Sequence, residues 1–367
     1  KPDTQLTTWN DPSSEGNSEH YGASYLFMAY FLNRFGEDLT KAVVASPKNG
    51  VAGFNDALER AGRTERFDDI FADWIIANYV DQTNADDTGR FSYGNLDPYP
   101  PALAETYKTF PVKASAQVNQ YGVDYIRLKG TGPVTIDFSG QKTVKLVETE
   151  TKGSHSWWSN RGDDSDMTLT RSVDLTSVQS ATLNFSIWYD LEQGWDYAYI
   201  MASKDGGAHW DILPGQYTTD ENPVGNAFGV GWTGTSSRSS RSGAQPEWLD
   251  ESVDLSAYAG QSILIRFEYV TDDAVNLPGL LVDNVSIPEI GLTDDGEQGS
   301  TGWDAEGWVL ISNSLPQTWI VQLIEISENG ITLNHIDIDA EGKGEINVDD
   351  LANVSEAVLV ISASAPI

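Results

Sequence analysis

The sequence predicts a multidomain protein in which a helical N-terminal segment precedes all-β domains. Apolar residues recur at helical spacing through roughly the first hundred residues, and from residue 112 onwards they alternate with polar residues at a period of two. Between Trp157 and Ile287, about eight such alternating runs are separated by Gly, Asp and Asn, which is typical of antiparallel strands joined by tight turns. The chain of 367 residues is long enough for two or three domains.

The N-terminal segment contains three runs of helical length. The first, Tyr21–Phe35, is apolar on nearly all sides, so it is expected to be a buried helix that stops at Gly36. Two further helices are expected at Val51–Ala61 and Phe67–Val80, where apolar residues form one stripe that we interpret as core. The Pro-, Gly- and Asp-rich stretch that follows predicts an irregular connection.

The strand-like runs before the central stretch are too few to close a sandwich alone, and so are the runs after it. Three lie between residues 112 and 148, and about four lie after residue 310. We therefore expect residues 112–150 and 310–367 to form one discontinuous β-sandwich of immunoglobulin or fibronectin type, after a helical part at residues 1–111. Residues 151–309 are expected to be an inserted β-sandwich of jelly-roll type, because an all-β domain with adjacent ends accepts insertions.

The composition argues against several classes of function. With 55 acidic and 22 basic residues, the net charge is −33, which repels nucleic acids and anionic membranes and favours divalent cations or basic partners. A second interpretation of this charge is solubility or adaptation to salt. The sequence has no cysteine, and no apolar run is long enough to span a membrane. The chain starts without an initiator Met or a signal peptide, which favours a mature or cleaved fragment.

The sequence lacks the catalytic motifs that can be recognised by their spacing. HExxH, G-x-S-x-G, the P-loop and the dinucleotide-binding fingerprint are all absent. The four histidines, His20, His155, His209 and His335, are far apart in the chain and form no helical i, i+4 pair. No paired-histidine zinc site is therefore predicted, and each histidine is expected to be a surface or turn residue.

Acidic residues of the central stretch form four groups. They are Asp163 with Asp164, Asp190 with Glu192 and Asp196, Asp272 with Asp273, and Asp283. Asp196 and Asp283 stand in otherwise apolar runs, where an uncompensated charge is costly. Ca²⁺ takes six to eight oxygen ligands, and the loops of a sandwich can supply them from distant parts of the chain. We therefore predict one structural calcium site with Asp164, Glu192, Asp196 and Asp283 as candidate ligands. The alternative is hydrogen bonding within Asx-type turns.

Two further patterns are interpreted as structural turns. Ser203–Trp210 has the S-x-D-x-G-x-x-W spacing of an Asp-box, in which Asp205 bonds turn amides and the tryptophan packs below them. Asp337–Asp350 resembles an EF-hand loop, but Gly344 and Val348 occupy positions that need a hydrophobic residue and a bidentate glutamate. Strand patterns on both sides favour a hairpin there.

The abundance of tryptophan makes a sugar-stacking platform a candidate function. Trp232 and Trp248 belong to a long Gly/Ser-rich loop, residues 229–248, which is the best candidate for a flexible, ligand-facing element. These two residues are the candidate ligand-binding positions. Most of the other tryptophans are expected to pack in the core or in turns.

Long segments of the central stretch resemble a known family. WWSNRGDDSDMTLTRSVDLTSVQSATLNFSIWYDLEQGWDYAYIMASKDGGAHW and WLDESVDLSAYAGQSILIRFEYVTDDAVNLPGLLVDNVSIPEIG are similar to the β-domain of immune inhibitor A-type secreted bacterial metallopeptidases. More loosely, HYGASYLFMAYFLNRFG resembles the helix that follows the zinc site in secreted HExxH peptidases. The resemblance implies an exported zinc metallopeptidase that is made with a propeptide and is often stabilised by calcium. The inserted sandwich is accordingly expected to be MAM-like.

In such a peptidase the HExxH segment would lie upstream of Lys1, so no catalytic residue of the family maps onto this chain. We expect the C-terminal part of a secreted, extracellular zinc metalloendopeptidase, with residues 1–111 as the helical tail of its catalytic domain. Calcium is expected in this chain and zinc in the missing upstream part. The β-domains are expected to serve stability or recognition, with the upstream catalytic region, protein substrates or cell-surface glycans as partners. The alternative is a module that binds carbohydrate or cell surfaces without a role in proteolysis.

Overall fold

The structure, a computed structural model, describes residues 1–8, 17–48, 50–82, 85–86, 88–94, 96–239, 244–300 and 302–365. Within these residues it contains three α-helices and is otherwise mostly β-structure in several sheets. The chain divides into two compact units. Unit 1 comprises Lys1–Val144 and Leu315–Ile367, and unit 2 comprises Lys145–Ser314.

The three helices belong to unit 1. They are α1 (Asn17–Val44), α2 (Gly50–Arg60) and α3 (Phe67–Val80). α1 is broken at Gly36, where φ is 81° and ψ is 175°, so the predicted helix stop is an interruption after which helical structure resumes. The prediction that this helix is buried on nearly all sides is wrong: Phe27 and Phe31 are buried, but Tyr21 and Tyr25 are 68% and 63% exposed. No helix in the described ranges is long and apolar enough to cross a membrane.

Four strands of unit 1 precede unit 2 in the chain. They are β1 (Glu105–Tyr107), β2 (Asp124–Leu128), β3 (Val134–Ser139) and β4 (Thr143–Val144). The third run predicted in this region is shortened to the two residues of β4, since the residues from Lys145 onwards belong to unit 2.

Unit 2 consists of two antiparallel sheets. Its strands are β5 (Ser156–Trp158), β6 (Asp166–Asp174), β7 (Thr182–Asp190), β8 (Tyr197–Ser203), β9 (Asp211–Ile212), β10 (Leu249–Asp254), β11 (Ser262–Val270), β12 (Gly279–Ile287), β13 (Leu292–Asp294), β14 (Asp304–Glu306) and β15 (Val309–Ile311). One sheet has the order β10-β7-β12-β5-β15, with β13 also paired to β12. The other has the order β14-β6-β11-β8-β9.

The two sheets of unit 2 bury one hydrophobic core between them. The side chains of a strand alternate between its two faces, so every second residue of the central strands points inward. Phe185 of β7 and Phe267 of β11 meet across the core with ring centroids 4.9 Å apart, at an interplanar angle of 82°. Unit 2 is therefore a β-sandwich.

The remaining strands complete unit 1. They are β16 (Leu315–Pro316), β17 (Trp319–Ser327), β18 (Gly330–His335), β19 (Lys343–Val348) and β20 (Glu356–Ala363). One sheet has the order β1-β2-β20-β17-β18, and β16 pairs with β4 and β19 with β3. One face of the five-stranded sheet shares a hydrophobic core with the helices, and the other packs against β3 and β19. The division of the chain into three domains stays a prediction.

The segment that resembles an EF-hand loop begins with a tight turn between β18 and β19 and continues into β19 itself. Asp339 Oδ1 accepts hydrogen bonds from the backbone N–H groups of Glu341 (2.9 Å) and Lys343 (2.8 Å). The hairpin expected here is wrong in one respect, because β18 pairs with β17 whereas β19 pairs with β3. The two flanking strands therefore do not pair with each other.

Candidate metal centre

Three carboxylates from two loops of unit 2 lie together. Glu192 follows β7, Asp196 directly precedes β8 and Asp272 follows β11. Because β8 and β11 are antiparallel neighbours with Tyr197 paired to Val270, the residue before one strand meets the residues after the other. One carboxylate oxygen from each of the three residues lies within 4.8 Å of the others. Asp272 thus forms one group with two acidic residues that are distant from it in the sequence.

Asp196 is the buried member of this group, with 1% of its surface exposed. Its Oδ1 accepts a hydrogen bond from the backbone N–H of Asp272 at 3.0 Å, and its Oδ2 accepts one from the Tyr269 hydroxyl at 3.0 Å. Burial raises the pKa of Asp196 to about 6, and the charges of Asp272 and Asp163 contribute to the increase, although both hydrogen bonds oppose it. The ionised form of Asp196 is therefore unfavourable without a compensating positive charge.

The loop before β6 adjoins the three-carboxylate group. The backbone N–H of Asp164 donates to the carbonyl oxygen of Asp272 at 2.6 Å, and Asp163 Oδ1 accepts a hydrogen bond of 2.7 Å from Asn276 Nδ2. Burial raises the pKa of Asp163, and the neighbouring charges of Asp164, Asp272 and Asp273 raise it further. The structure thus places the predicted ligand Asp164 beside the group, but its carboxylate is not one of the three clustered oxygens.

The donor atoms of the site fit calcium. Asn276 Oδ1 is buried and accepts no hydrogen bond within the described residues. Carboxylate and amide oxygens suit a hard cation such as Ca²⁺, whereas protein zinc sites use histidine or cysteine. In the part of the chain that the structure describes, no other group of three or more acidic, histidine or cysteine side chains is placed to hold a metal, and this group contains no histidine.

Asp283, the fourth predicted ligand, lies away from this group. It pairs with Ser186 next to a bulge in β12. Its Oδ2 accepts a hydrogen bond from Ser156 Oγ at 2.6 Å, and its Oδ1 accepts one from the backbone N–H of Asn284 at 2.6 Å. Burial raises the pKa of Asp283, and the hydrogen bond from Ser156 opposes this shift. Hydrogen bonds from neighbouring residues therefore stabilise this buried carboxylate.

The two tryptophans predicted to bind ligand differ in their surroundings. Trp232 is fully buried, and its Nε1 donates to Glu251 Oε1 at 2.9 Å, so it has no face for a ligand. Trp248 is half-buried, with Nε1 bonded to the carbonyl oxygen of Glu150 at 2.8 Å and Lys152 Nζ 5.6 Å from its ring centroid. Only Trp248 therefore keeps some exposed surface.

The four histidines also differ from one another in exposure. His20 is buried in unit 1, contrary to the expectation of a surface or turn position. The side chains of His155, His209 and His335 are 42%, 89% and 59% exposed. The Asp-box residue Asp205 makes two contacts with His209. Its Oδ1 accepts a hydrogen bond from the His209 backbone N–H at 3.0 Å, and its Oδ2 lies 2.6 Å from His209 Nδ1. These contacts serve the turn.

Fold and site together define a β-sandwich domain with an acidic cation-binding candidate among its loops. The family model described as "Immune inhibitor A-like, MAM domain" matches residues 129–312. The chain belongs to this immune inhibitor A-like family.

Three relatives show where the similarity extends. The pre-pro-metalloprotease PrtV of Vibrio cholerae serotype O1 is 29% identical over 178 residues, which cover 48% of this chain and 17% of that protein. Immune inhibitor A of Bacillus thuringiensis subsp. alesti is 29% identical over 211 residues, covering 52% of this chain and 28% of the relative. Bacillopeptidase F of Bacillus subtilis (strain 168) is 27% identical over 110 residues, covering 30% and 6%. The chain thus covers well under a third of the length of each of these relatives.

Proposed function

We propose that this chain is the C-terminal part of a secreted zinc metalloendopeptidase of immune inhibitor A type. The observation that carries the proposal is the match of the immune inhibitor A-like MAM domain to residues 129–312. The names of two relatives support it, because one is described as a pre-pro-metalloprotease and the other as immune inhibitor A. The small share of these relatives that the chain covers leaves room for a catalytic region elsewhere in the precursor.

In this proposal the chain itself does not carry the catalytic zinc. The sequence contains no HExxH, and the metal-binding candidate of unit 2 consists of carboxylates. Zinc would be held by the upstream part, where it would polarise the scissile carbonyl and activate water. The residues of this chain would act on stability or on recognition.

Unit 2 would be a non-catalytic sandwich of jelly-roll type whose loops are held by one calcium ion. The three-carboxylate group supplies the charge, and Asn276 Oδ1 supplies a buried oxygen that lacks a donor. The divided β-structure of unit 1 would be of immunoglobulin or fibronectin type. Calcium binding would link the β7–β8 loop to the β11–β12 loop, so that it opposes unfolding of the sandwich.

The partner of unit 1 would be the upstream catalytic region. Its candidate contact surface is the side of α1 that carries Tyr21, Tyr25 and Leu32, which are 68%, 63% and 46% exposed. Residues at these spacings lie on one side of a helix. Large apolar side chains exposed along one helix face are characteristic of an interaction surface.

The test is a peptidase assay on the purified chain with added zinc, next to the full-length protein after removal of its propeptide as the positive control. The chain is expected to show no hydrolysis of a casein substrate above buffer, and the processed protein is expected to show activity that EDTA removes. EDTA-sensitive turnover by the chain alone would overturn its non-catalytic assignment. A processed protein that binds no zinc and shows no activity would overturn the metallopeptidase assignment.

The second candidate function is a binding module for carbohydrate or cell surfaces. The observation that favours it is the exposure of Trp195 (44%) and Phe228 (67%) in unit 2, since exposed aromatic rings stack on sugars. Glycan-array binding that Trp195→Ala and Phe228→Ala both abolish would support this function. Binding that persists in both variants but is lost in Trp248→Ala would instead assign it to the loop of residues 229–248.

A further inference from the structure

Residues 111–117, which connect β1 to β2 in unit 1, form an exposed segment without internal support. All seven residues are exposed, and no longer run of exposed residues occurs in the described part of the chain. They belong to no helix or strand, and their backbone groups make no hydrogen bond within the described residues. Three small residues, Ala114, Ser115 and Ala116, follow one another at the centre of this segment.

Both ends of the exposed segment are fixed to the rest of unit 1. Before it, β1 pairs in parallel with β2. After it, the Asn119 N–H donates to Asp3 Oδ1 at 2.7 Å, and the Tyr121 N–H donates to the Ala363 carbonyl oxygen at 2.7 Å. The segment therefore connects two anchored positions without contributing hydrogen bonds of its own.

Such a segment has the properties of a peptidase substrate. A peptide that binds in an extended conformation is held by hydrogen bonds to its backbone N–H and C=O groups. A segment within a helix or a sheet has to open before these groups are free, and this opening limits the cleavage of a folded protein. The backbone groups of the exposed segment are free in the folded chain. Exposed segments with small or polar side chains are the preferred sites of proteolytic cleavage.

The contacts that join the two sides of the exposed segment do not depend on its peptide bonds. The helices and the five-stranded sheet share one hydrophobic core. The Tyr125 hydroxyl donates to the Ile75 carbonyl oxygen at 2.6 Å, and Gln322 Nε2 donates to the Ala72 carbonyl oxygen at 3.0 Å. The pairing of β1 with β2 adds a further connection. Hydrolysis of one bond in the segment breaks none of these contacts.

We propose that the exposed segment is a processing site, at which an endopeptidase that accepts small side chains hydrolyses a peptide bond between Ala114 and Gln117. Water adds across the bond, so that one fragment gains a carboxylate and the other an amino group. The N-terminal fragment keeps the three helices and β1, and the C-terminal fragment keeps the other strands of unit 1. The two fragments stay associated through the shared core. This inference does not depend on the peptidase activity proposed above.

Digestion of the complete chain with pancreatic elastase, which cleaves after small residues, tests the processing site. The native chain is expected to yield two fragments whose boundary lies between Ala114 and Gln117, as identified by intact-mass spectrometry. A triple variant, Ala114→Glu, Ser115→Glu and Ala116→Glu, is expected to lose this cleavage by at least about tenfold in rate. The physical reason is that the small pocket of elastase does not accommodate a long charged side chain.

Ala52 gives an internal control, because it is also exposed but lies within α2. No cleavage after Ala52 is expected in the native chain, whereas the chain unfolded in urea is expected to be cut at both places. Circular dichroism spectra that match the wild type establish that the triple variant is folded. A native chain that resists cleavage between Ala114 and Gln117, in conditions where the unfolded chain is cut there, would overturn the processing site.

Size-exclusion chromatography of the cleaved chain tests whether the fragments stay together. They are expected to elute at the volume of the intact chain and to separate in urea. Because folding of unit 1 then joins two molecules, its melting temperature is expected to rise with protein concentration after cleavage but not before it. Fragments that separate in native buffer would refute the association of the two parts, whereas the cleavage result stands or falls by the elastase digestion.

Discussion

The side chain of Asn313 is hydrogen-bonded to both polar groups of the Val147 backbone. Nδ2 donates to the Val147 carbonyl oxygen at 2.8 Å, and Oδ1 accepts from the Val147 N–H at 2.8 Å. Nδ2 also donates to the carbonyl oxygen of Thr149 at 2.7 Å. Asn313 is 5% exposed, so these bonds are shielded from water. One amide therefore joins the first and last segments of unit 2.

Loss of this amide is expected to destabilise unit 2. Asn313→Ala leaves the Val147 N–H without its buried acceptor, whereas the Val147 carbonyl keeps the Thr149 N–H as a donor, so the substitution is expected to cost about 1–3 kcal/mol of unfolding free energy. Urea unfolding followed by tryptophan fluorescence measures the change. Asn329→Ala, at an exposed position of unit 1, serves as the control and is expected to stay within about 0.5 kcal/mol of the wild type. A similarly small effect of Asn313→Ala would contradict the structural role of the amide.

Calcium is expected to raise the melting temperature of the chain. A ligand that binds only the folded state stabilises it by about 2.7 kcal/mol at a free concentration of 100 times its dissociation constant. Asp272→Asn removes one charged ligand and is expected to abolish most of the shift, measured by differential scanning calorimetry. Glu289→Gln removes an exposed carboxylate outside the group and should leave the calcium shift unchanged. Equal shifts in both variants would argue against the site.

Local sequence patterns predict where helices and strands lie better than they predict which of their side chains are buried. The apolar stripe of α3 gave its residue range correctly, because aromatic and aliphatic side chains at helical spacing define one buried face. The same reasoning failed for α1, where Tyr21 and Tyr25 are exposed. An apolar side chain favours burial, but its local sequence pattern does not determine whether another part of the molecule covers it.

The candidate site was predicted in part. Glu192 and Asp196 are predictable as ligands because they lie close together in the sequence, and because Asp196 stands in an otherwise apolar run, where an uncompensated charge is costly. The same argument predicts Asp283 as a ligand. Its carboxylate instead accepts a hydrogen bond from Ser156, which the pairing of β12 with β5 brings close and which the sequence alone does not show. Asp272 belongs to one of the acidic groups of the sequence but is not among the four predicted ligands. The sequence does place Asp272 just after a predicted strand. The antiparallel pairing of β8 with β11 brings that position next to Asp196, which directly precedes β8.

Trp232 is expected to matter for stability and not for ligand binding. Its ring packs against Phe185 with centroids 5.8 Å apart, and its Nε1 bonds the buried Glu251 carboxylate. Trp232→Ala opens a cavity and removes that donor, so it is expected to cost about 3–5 kcal/mol of unfolding free energy. Trp248→Ala, at a half-buried ring, is expected to cost less. Equal and small losses in urea unfolding of both variants would contradict the core role of Trp232.

Asp196 is expected to make calcium-free stability decrease as the pH rises. Its pKa is about 6 in the folded chain, above the ordinary value of 3.8, so the folded state binds more protons than the unfolded state between these values. Stability is therefore lost as the pH rises through this window, by about 2–3 kcal/mol, and the loss is complete above pH 6 or so. Asp196→Asn should remove this component, which urea unfolding in EDTA between about pH 4 and 7 measures as a stability difference from the wild type that changes with pH. A constant difference across that range would show that Asp196 ionises normally. With saturating calcium the dependence should reverse, because the cation binds the ionised carboxylates and their protonation at low pH releases it.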